Sequence, residues 1–286
     1  MCVITGRILY NTAMEEFDFT GYKSVRLHGR HWASEKPEAV ILIVHGFGEH
    51  SGRYAGMAEY YLSRGFSVLS YDHRGHGLSE GKRGLLLSWT EFREDLHAAE
   101  NEAVKRYPAV PLFILGHSLG GTMVLDYLIS SDNHPRGAII SAPALGTPGI
   151  SSFLLAAAKI LSVIAPGLTL STGLDSDSIS RDPEECRKYR EDSLVHDKAS
   201  MKMGSELTAV QKRIFESAGS LNCPLLICYG SQDTIAPHAP IELLFEKAGS
   251  ADKELKIFEN AFHEMHNDTI RDEVYRVYAD WISARI

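Results

Sequence analysis

The sequence Gly116-His117-Ser118-Leu119-Gly120, followed by Gly121, lies between an apolar run of strand length, Leu112 to Leu115, and a stretch of helical period, Thr122 to Ile129. No other feature of the chain restricts its fold as tightly. A strand that turns directly into a helix leaves no room for side chains on either side of the turn, so the flanking positions have to be glycine. The residue at the apex is forced into a strained backbone and its side chain is presented at the edge of a sheet. A serine there is placed to act as a nucleophile. The competing readings are a serine that only caps the following helix and a phosphate-binding loop, which would need a lysine after the glycines.

The segments around this turn repeat the same alternation. Val40 to Val44 precedes a helical stretch at Tyr54 to Ser63, Phe66 to Tyr71 precedes Phe92 to Arg106, and Gly137 to Ser141 is a further short strand. Apolar runs without alternation fit strands buried on both faces of a parallel sheet covered by helices. The pattern stops after Ser141 and resumes with Pro224 to Tyr229, a helix near Ile241 to Lys247, a strand at Glu254 to Phe258 and a helix near Glu273 to Ser283. About 80 residues without strands exceed a simple connection. The expected organisation is therefore an α/β core formed by residues 1–141 and 222–286, with residues 142–221 as a helical cap inserted over the carboxyl edge of the sheet. Open α/β sheets bind their ligands at that edge.

A serine hydroxyl needs a base, and the base needs a partner that fixes its tautomer. On a strand-turn-helix nucleophile these partners follow in the order Ser, Asp or Glu, then His. Asp233 ends the strand-like run before it and fills the second place, although an aspartate there also suits a turn or a helix cap. His263 comes first after the last strand and is favoured as base over His266. The oxyanion is expected to meet two backbone N–H groups, those of Leu119, after the nucleophile, and Phe47, in His45-Gly46-Phe47-Gly48. A dinucleotide reading of those glycines fails because Ser51 stands where a third glycine is required. A zinc reading of His73-x-x-His76 or His263-x-x-His266 lacks the ligand spacing, so no metal is expected.

The net charge of −8, without a basic run, argues against nucleic acid as a partner. Four scattered cysteines read as free thiols. Residues 1–16 have neither a basic n-region nor an apolar core, which leads to the expectation of a cytoplasmic protein, at most peripheral to membranes. Ile150 to Leu170 is largely apolar but is interrupted by Lys159, Ser162, Pro166 and Gly167, too early for a membrane span.

Taken together, the blocks His45 to Tyr54, Tyr71 to Ser79 and Gly116 to Gly121, the neighbourhoods of Asp233 and His263, and the stretches Ile179 to Pro183 and Leu194 to His196 resemble the monoacylglycerol lipase and lysophospholipase branch of the α/β-hydrolases. The resemblance implies an α/β-hydrolase fold, mostly parallel and cap-bearing. The implied activity is carboxylic-ester hydrolysis through an acyl-enzyme on Ser118, without a cofactor, releasing fatty acid and glycerol from a small lipid ester. Glu49, Arg53 and His266 match the residues that bind the glycerol head group in this branch. Ser193 departs from it, since related sequences tend to have proline after the aspartate. A general carboxylesterase or lysophospholipase is the nearest alternative. An aminopeptidase of the same fold is more distant and would use Asp175, Asp177 or Glu206 to meet an ammonium group. The apolar stretch Phe153 to Leu170, with Leu154, Leu155, Ile160, Leu161 and Ile164, is expected to line an acyl tunnel and to touch membranes or micelles transiently. Oligomeric state is not set by any of these features.

Overall fold

The computed structural model describes residues 14–131, 135–146 and 161–286. Its centre is an eight-stranded sheet of order β1-β2-β4-β3-β5-β6-β9-β10. These strands are β1 (Glu15–Thr20), β2 (Arg26–Trp32), β3 (Ala39–Val44), β4 (Phe66–Tyr71), β5 (Leu112–His117), β6 (Gly137–Ser141), β9 (Leu225–Gly230) and β10 (Lys253–Phe258). From β4 to β10 every pairing is parallel, while β1 and β2 form an antiparallel hairpin that joins the sheet against β4. All residues of β3, β4 and β6 are buried, which is why the sequence shows them as largely apolar runs without a solvent-facing alternation, broken only by the buried Ser67, Ser70 and Ser141. Helices α1 (Ala55–Ser63), α2 (Trp89–Arg106), α3 (Leu119–Ser130), α6 (His238–Lys247) and α7 (Arg271–Ser283) flank the sheet.

The hairpin is the element that hydropathy conceals. β2 reads Arg-Leu-His-Gly-Arg-His-Trp, yet all of it after Arg26 is buried. Arg30 is accommodated there because its guanidinium meets Asp72, fully buried in the loop after β4, at 3.2 Å. Ion pairing, rather than apolar character, makes this strand an interior one.

Between β6 and β9 the described chain has α4 (Pro183–Glu191) and α5 (Met201–Ser217), and it differs from the strand-free expectation. β7 (Thr169–Ser171) and β8 (Lys198–Ser200) pair antiparallel as a small separate sheet. α4 begins where it does because Asp182 caps it, accepting from the Glu184 N–H at 3.0 Å, and Pro183 occupies its first turn. The insertion rests on the core through main-chain and ionic ties: His196 N–H to the Gly48 carbonyl at 2.8 Å, Ser200 N–H to the Gly84 carbonyl at 2.8 Å, and Arg181 to buried Asp268 at 2.6 Å.

Of the apolar stretch, Phe153, Leu154, Leu155 and Ile160 lie outside the described residues, as does Cys2. Leu161 and Ile164 are exposed, Ile164 at 75%. Cys186, Cys223 and Cys228 are free and buried. Among the described residues no helix is long and apolar enough to cross a membrane.

Candidate active site

Ser118 follows the last residue of β5 and precedes α3, with φ 52° and ψ −116°, a backbone conformation sparsely populated by side-chain-bearing residues. The turn is held by Ser118 N–H donating to the Ser141 carbonyl at 2.9 Å, and by the Ser118 carbonyl accepting from Thr122 and Ala144 N–H, each at 3.1 Å. A Cβ on Gly120 would overlap the carbonyl oxygens of Val44 and His45, and one on Gly116 would strike the backbone of Gly120. The steric reading of the pentapeptide is the one this geometry requires.

Asp233 and His263 reach Ser118 because the loops after β9 and β10 are joined by backbone bonds. Ser231 N–H donates to the Phe258 carbonyl at 2.9 Å and Gln232 N–H to that of Ala261 at 3.0 Å. Gly230 permits the contact, since a Cβ there would overlap the carbonyls of Ala261 and Phe262. His263 Nδ1 then lies 2.8 Å from Asp233 Oδ2, and His263 Nε2 lies 2.9 Å from Ser118 Oγ. Asp233 also forms the turn that was its competing reading: Oδ1 accepts from the N–H groups of Ile235 and Ala236 at 2.8 and 3.0 Å. One carboxylate does both.

The electrostatics follow from burial and partners. Burial alone would raise the Asp233 carboxyl, but His263 and the two backbone donors outweigh it and hold the group below its ordinary value. Burial likewise pulls the His263 imidazole down; the Asp233 carboxylate more than reverses this, with smaller help from Glu264 and Glu49, so the ring titrates above its usual range. His266 is a different kind of residue. It stacks on Tyr54 with centroids 4.7 Å apart, its Nε2 has no hydrogen-bond partner among the described residues, and burial lowers it to about 4.

A cavity of about 200 Å³ opens at Ser118, with Phe47, Ala144, Leu174, Ile179 and Ile235 on its apolar walls and Glu49 and Glu264 among its polar lining. Of the three expected head-group residues only Glu49 lines it. Arg53 stands behind, with Nη1 at 2.9 Å from Glu49 Oε2 and both terminal nitrogens at 2.6 Å from the oxygens of Glu264. His266 is not part of the lining. Leu161 and Ile164 are not part of it either, so at this cavity Leu174, Ile179 and Ile235 take the place expected of them.

Glu264 was not singled out from sequence, although it sits next to the favoured base, and its only signal is that an acid beside a buried imidazole needs a cation. Its carboxyl would be raised by burial, but Arg53 outweighs this and holds it well below the usual range. Burial raises Glu49 instead, against the pull of Arg53, and the charge of Glu264 adds to the rise. His117, also not anticipated, lines the cavity with its ring 4.8 Å from that of His263. The acids considered for an ammonium group lie elsewhere. Asp175 caps the short turn Ser176–Ser178, Asp177 pairs with Arg190, and Glu206 pairs with Lys202 at 2.9 Å and accepts from Trp89 N–H. None of them lines the cavity. Among the described residues no group of three or more His, Cys, Asp or Glu is disposed to hold a metal ion.

A mostly parallel sheet with a serine, Ser118, on a strained strand-to-helix turn defines an α/β-hydrolase, and residues 35–270 match the family described as serine aminopeptidase, S33. The chain is 33% identical over 281 residues to monoacylglycerol lipase of Mycolicibacterium smegmatis, covering 97% of this chain and all of that one. It is 34% identical to human monoglyceride lipase over 263 residues, 90% of this chain and 86% of that one. The crystal structure of Paleococcus ferrophilus monoacylglycerol lipase superposes with a TM-score of 0.80 at 33% identity, covering 96% of this chain and 100% of that one. The chain belongs to the monoacylglycerol lipase family of the α/β-hydrolases, and it is a serine ester hydrolase.

Proposed function

We propose that the protein hydrolyses monoacylglycerols to fatty acid and glycerol through an acyl-enzyme on Ser118. In this reading Ser118 Oγ attacks the ester carbonyl as its proton passes to His263 Nε2. Asp233 orients the imidazole and stabilises its charged form. The tetrahedral oxyanion is met by the N–H groups of Phe47 and Leu119. Collapse expels the glycerol oxygen, which takes the proton from His263. Water then attacks the acyl-enzyme, giving its proton to His263, and Ser118 Oγ takes that proton back as the fatty acid leaves. These steps use only side chains and backbone of this chain.

The observation that carries the reading is the Asp233–His263–Ser118 relay of 2.8 and 2.9 Å at a cavity lined by both apolar and acidic side chains. The apolar lining residues Leu174, Ile179 and Ile235 suit an acyl chain, each buried methylene contributing about 0.8 kcal/mol. The proposed head-group set is Glu49 facing the glycerol hydroxyls, with Arg53 and His266 behind it as support. Two acidic side chains in that lining favour a neutral polyol over a phosphate, which sets glycerol esters ahead of lysophospholipids. Residues 142–221 are proposed as a cap on the core of residues 1–141 and 222–286. Exposed Val163, Ile164 and Leu170 are proposed to touch micelles or membranes during substrate uptake.

The test compares a monoacylglycerol with the triacylglycerol carrying the same acyl group in matched micelles. The expected kcat/KM ratio favours the monoester by more than about tenfold, the scale of one or two matched hydroxyl contacts. Equal values would leave a general carboxylesterase.

A further inference from the structure

The loop after β3 is tied down at two consecutive peptides, His45–Gly46 and Gly46–Phe47. The Gly46–Phe47 peptide is planar and trans, so its C=O and N–H point in opposite directions. His45 Nδ1 donates to the Gly46 carbonyl at 2.7 Å. His73 N–H donates to His45 Nε2 at 3.0 Å, which leaves the ring proton on Nδ1. The preceding peptide presents Gly46 N–H to Glu49 Oε1 at 2.6 Å. That same oxygen accepts from the Tyr54 hydroxyl at 2.9 Å, and Oε2 accepts from Arg53. Glu49 is 2% exposed, and a Cβ on Gly46 would lie 2.8 Å from its Oε1, so carboxylate and loop fit against each other without slack.

We propose that Glu49 is a positioning residue for the oxyanion hole: by accepting from Gly46 N–H it fixes the Gly46–Phe47 peptide so that Phe47 N–H faces the carbonyl attacked by Ser118. This rests on the reading of Phe47 and Leu119 as oxyanion donors, and it gives Glu49 a task beyond contact with a head group. Without the carboxylate, Gly46 N–H loses its acceptor and the peptide is held only by His45. Losing one well-placed oxyanion donor costs about 10² to 10³ in kcat.

The experiment compares wild type with Glu49→Ala, Glu49→Asp and Glu49→Gln on a monoacylglycerol and on the p-nitrophenyl ester of the same fatty acid, which has no glycerol. It also measures inhibition by a trifluoromethyl ketone. Attack of Ser118 Oγ on that ketone, with its proton moving to His263, forms a hemiketal whose oxyanion occupies the hole. Glu49→Ala is expected to lower kcat by about 10² on both esters and to weaken the ketone by a similar factor, while the lost head-group contact adds a rise in KM for the glycerol ester alone. Glu49→Asp keeps a carboxylate for Arg53 but withdraws it from Gly46 N–H, and it is expected to show the same equal loss even if Glu49→Ala does not fold. Glu49→Gln retains an oxygen for Gly46 N–H, and burial already pushes the native carboxyl up to about 7, so this variant is expected within about tenfold of wild type. A loss confined to the glycerol ester, or appearing in KM alone, would overturn the proposal, as would Glu49→Gln behaving like Glu49→Ala. If wild type itself does not bind the ketone, the oxyanion reading fails and the proposal with it.

Discussion

The carboxyl edge of the sheet and the insertion between β6 and β9 solve opposite problems. At the edge, polar groups are buried and matched: Glu49, Arg53 and Glu264 satisfy one another out of solvent, and the relay to Ser118 runs through two short bonds. On the outer face of the insertion the ion pairs are solvated, as in Glu184–Arg187–Glu191 along α4, and apolar Val163 and Ile164 face solvent at 79% and 75% exposure. Desolvated charges hold a geometry because any departure leaves a charge unpaired, whereas solvated pairs exchange with water at little cost. Precision belongs to the edge and adaptability to the insertion.

The largest effect expected from breaking this contrast is at the relay. Ser118→Ala or His263→Ala should lower kcat by on the order of 10⁶, and Asp233→Asn by roughly 10⁴, because the three act as a unit. Steady-state kinetics check this, and a His263→Ala enzyme within about tenfold of wild type would transfer the base to another residue. Next is the buried charge cluster. Glu264→Leu leaves Arg53 buried with a single, raised carboxyl and should cost about 3–5 kcal/mol in urea unfolding. Arg187→Ala, on the exposed side of the insertion, should leave the same curve unchanged. Similar losses for the two would erase the distinction between the regions.

Stability against acid comes third. His45, His73, His76, His117 and His266 are all held below their ordinary value, chiefly by burial. They stay neutral in the fold, while the unfolded chain takes up their protons below about pH 6.5, so stability falls as pH drops through that value. Each ring should cost about 1 kcal/mol at pH 5.5, offset in part by His263, whose shift has the opposite sign. Thermal melts at pH 7.5 and 5.5 should show the loss, and equal midpoints would contradict it.

A smaller change separates chemistry from stability. Because Asp233 holds His263 above its ordinary value, kcat/KM should decline with falling pH around a midpoint above about 6.5, where the folded protein still predominates. In Asp233→Asn the residual activity should have its midpoint moved to lower pH; an unmoved midpoint would assign the titration elsewhere. Smallest is the insertion's own contribution. Val163→Ser with Ile164→Ser should lower the rate on micellar monoacylglycerol several-fold, the scale of about 1 kcal/mol of lost apolar contact, and leave a soluble p-nitrophenyl ester unaffected.

Sequence alone determined what depends on neighbours along the chain. Buried strands of the parallel sheet read as apolar runs, and the glycines around Ser118 stated their steric reason. Chain order was enough to choose Asp233 and His263, the two side chains that the zipped loops after β9 and β10 bring to Ser118. Tertiary structure decided whatever depends on a partner distant in sequence. It put polar β2 in the interior through Arg30 and Asp72, and drew Glu264, 211 residues from Arg53, into the cavity wall. It also turned His266 away from the lining. A hydrophobic pattern reports burial by water's exclusion from apolar atoms, but a buried charge carries no such pattern, because its cost is offset only by an opposite charge or hydrogen bond that folding supplies.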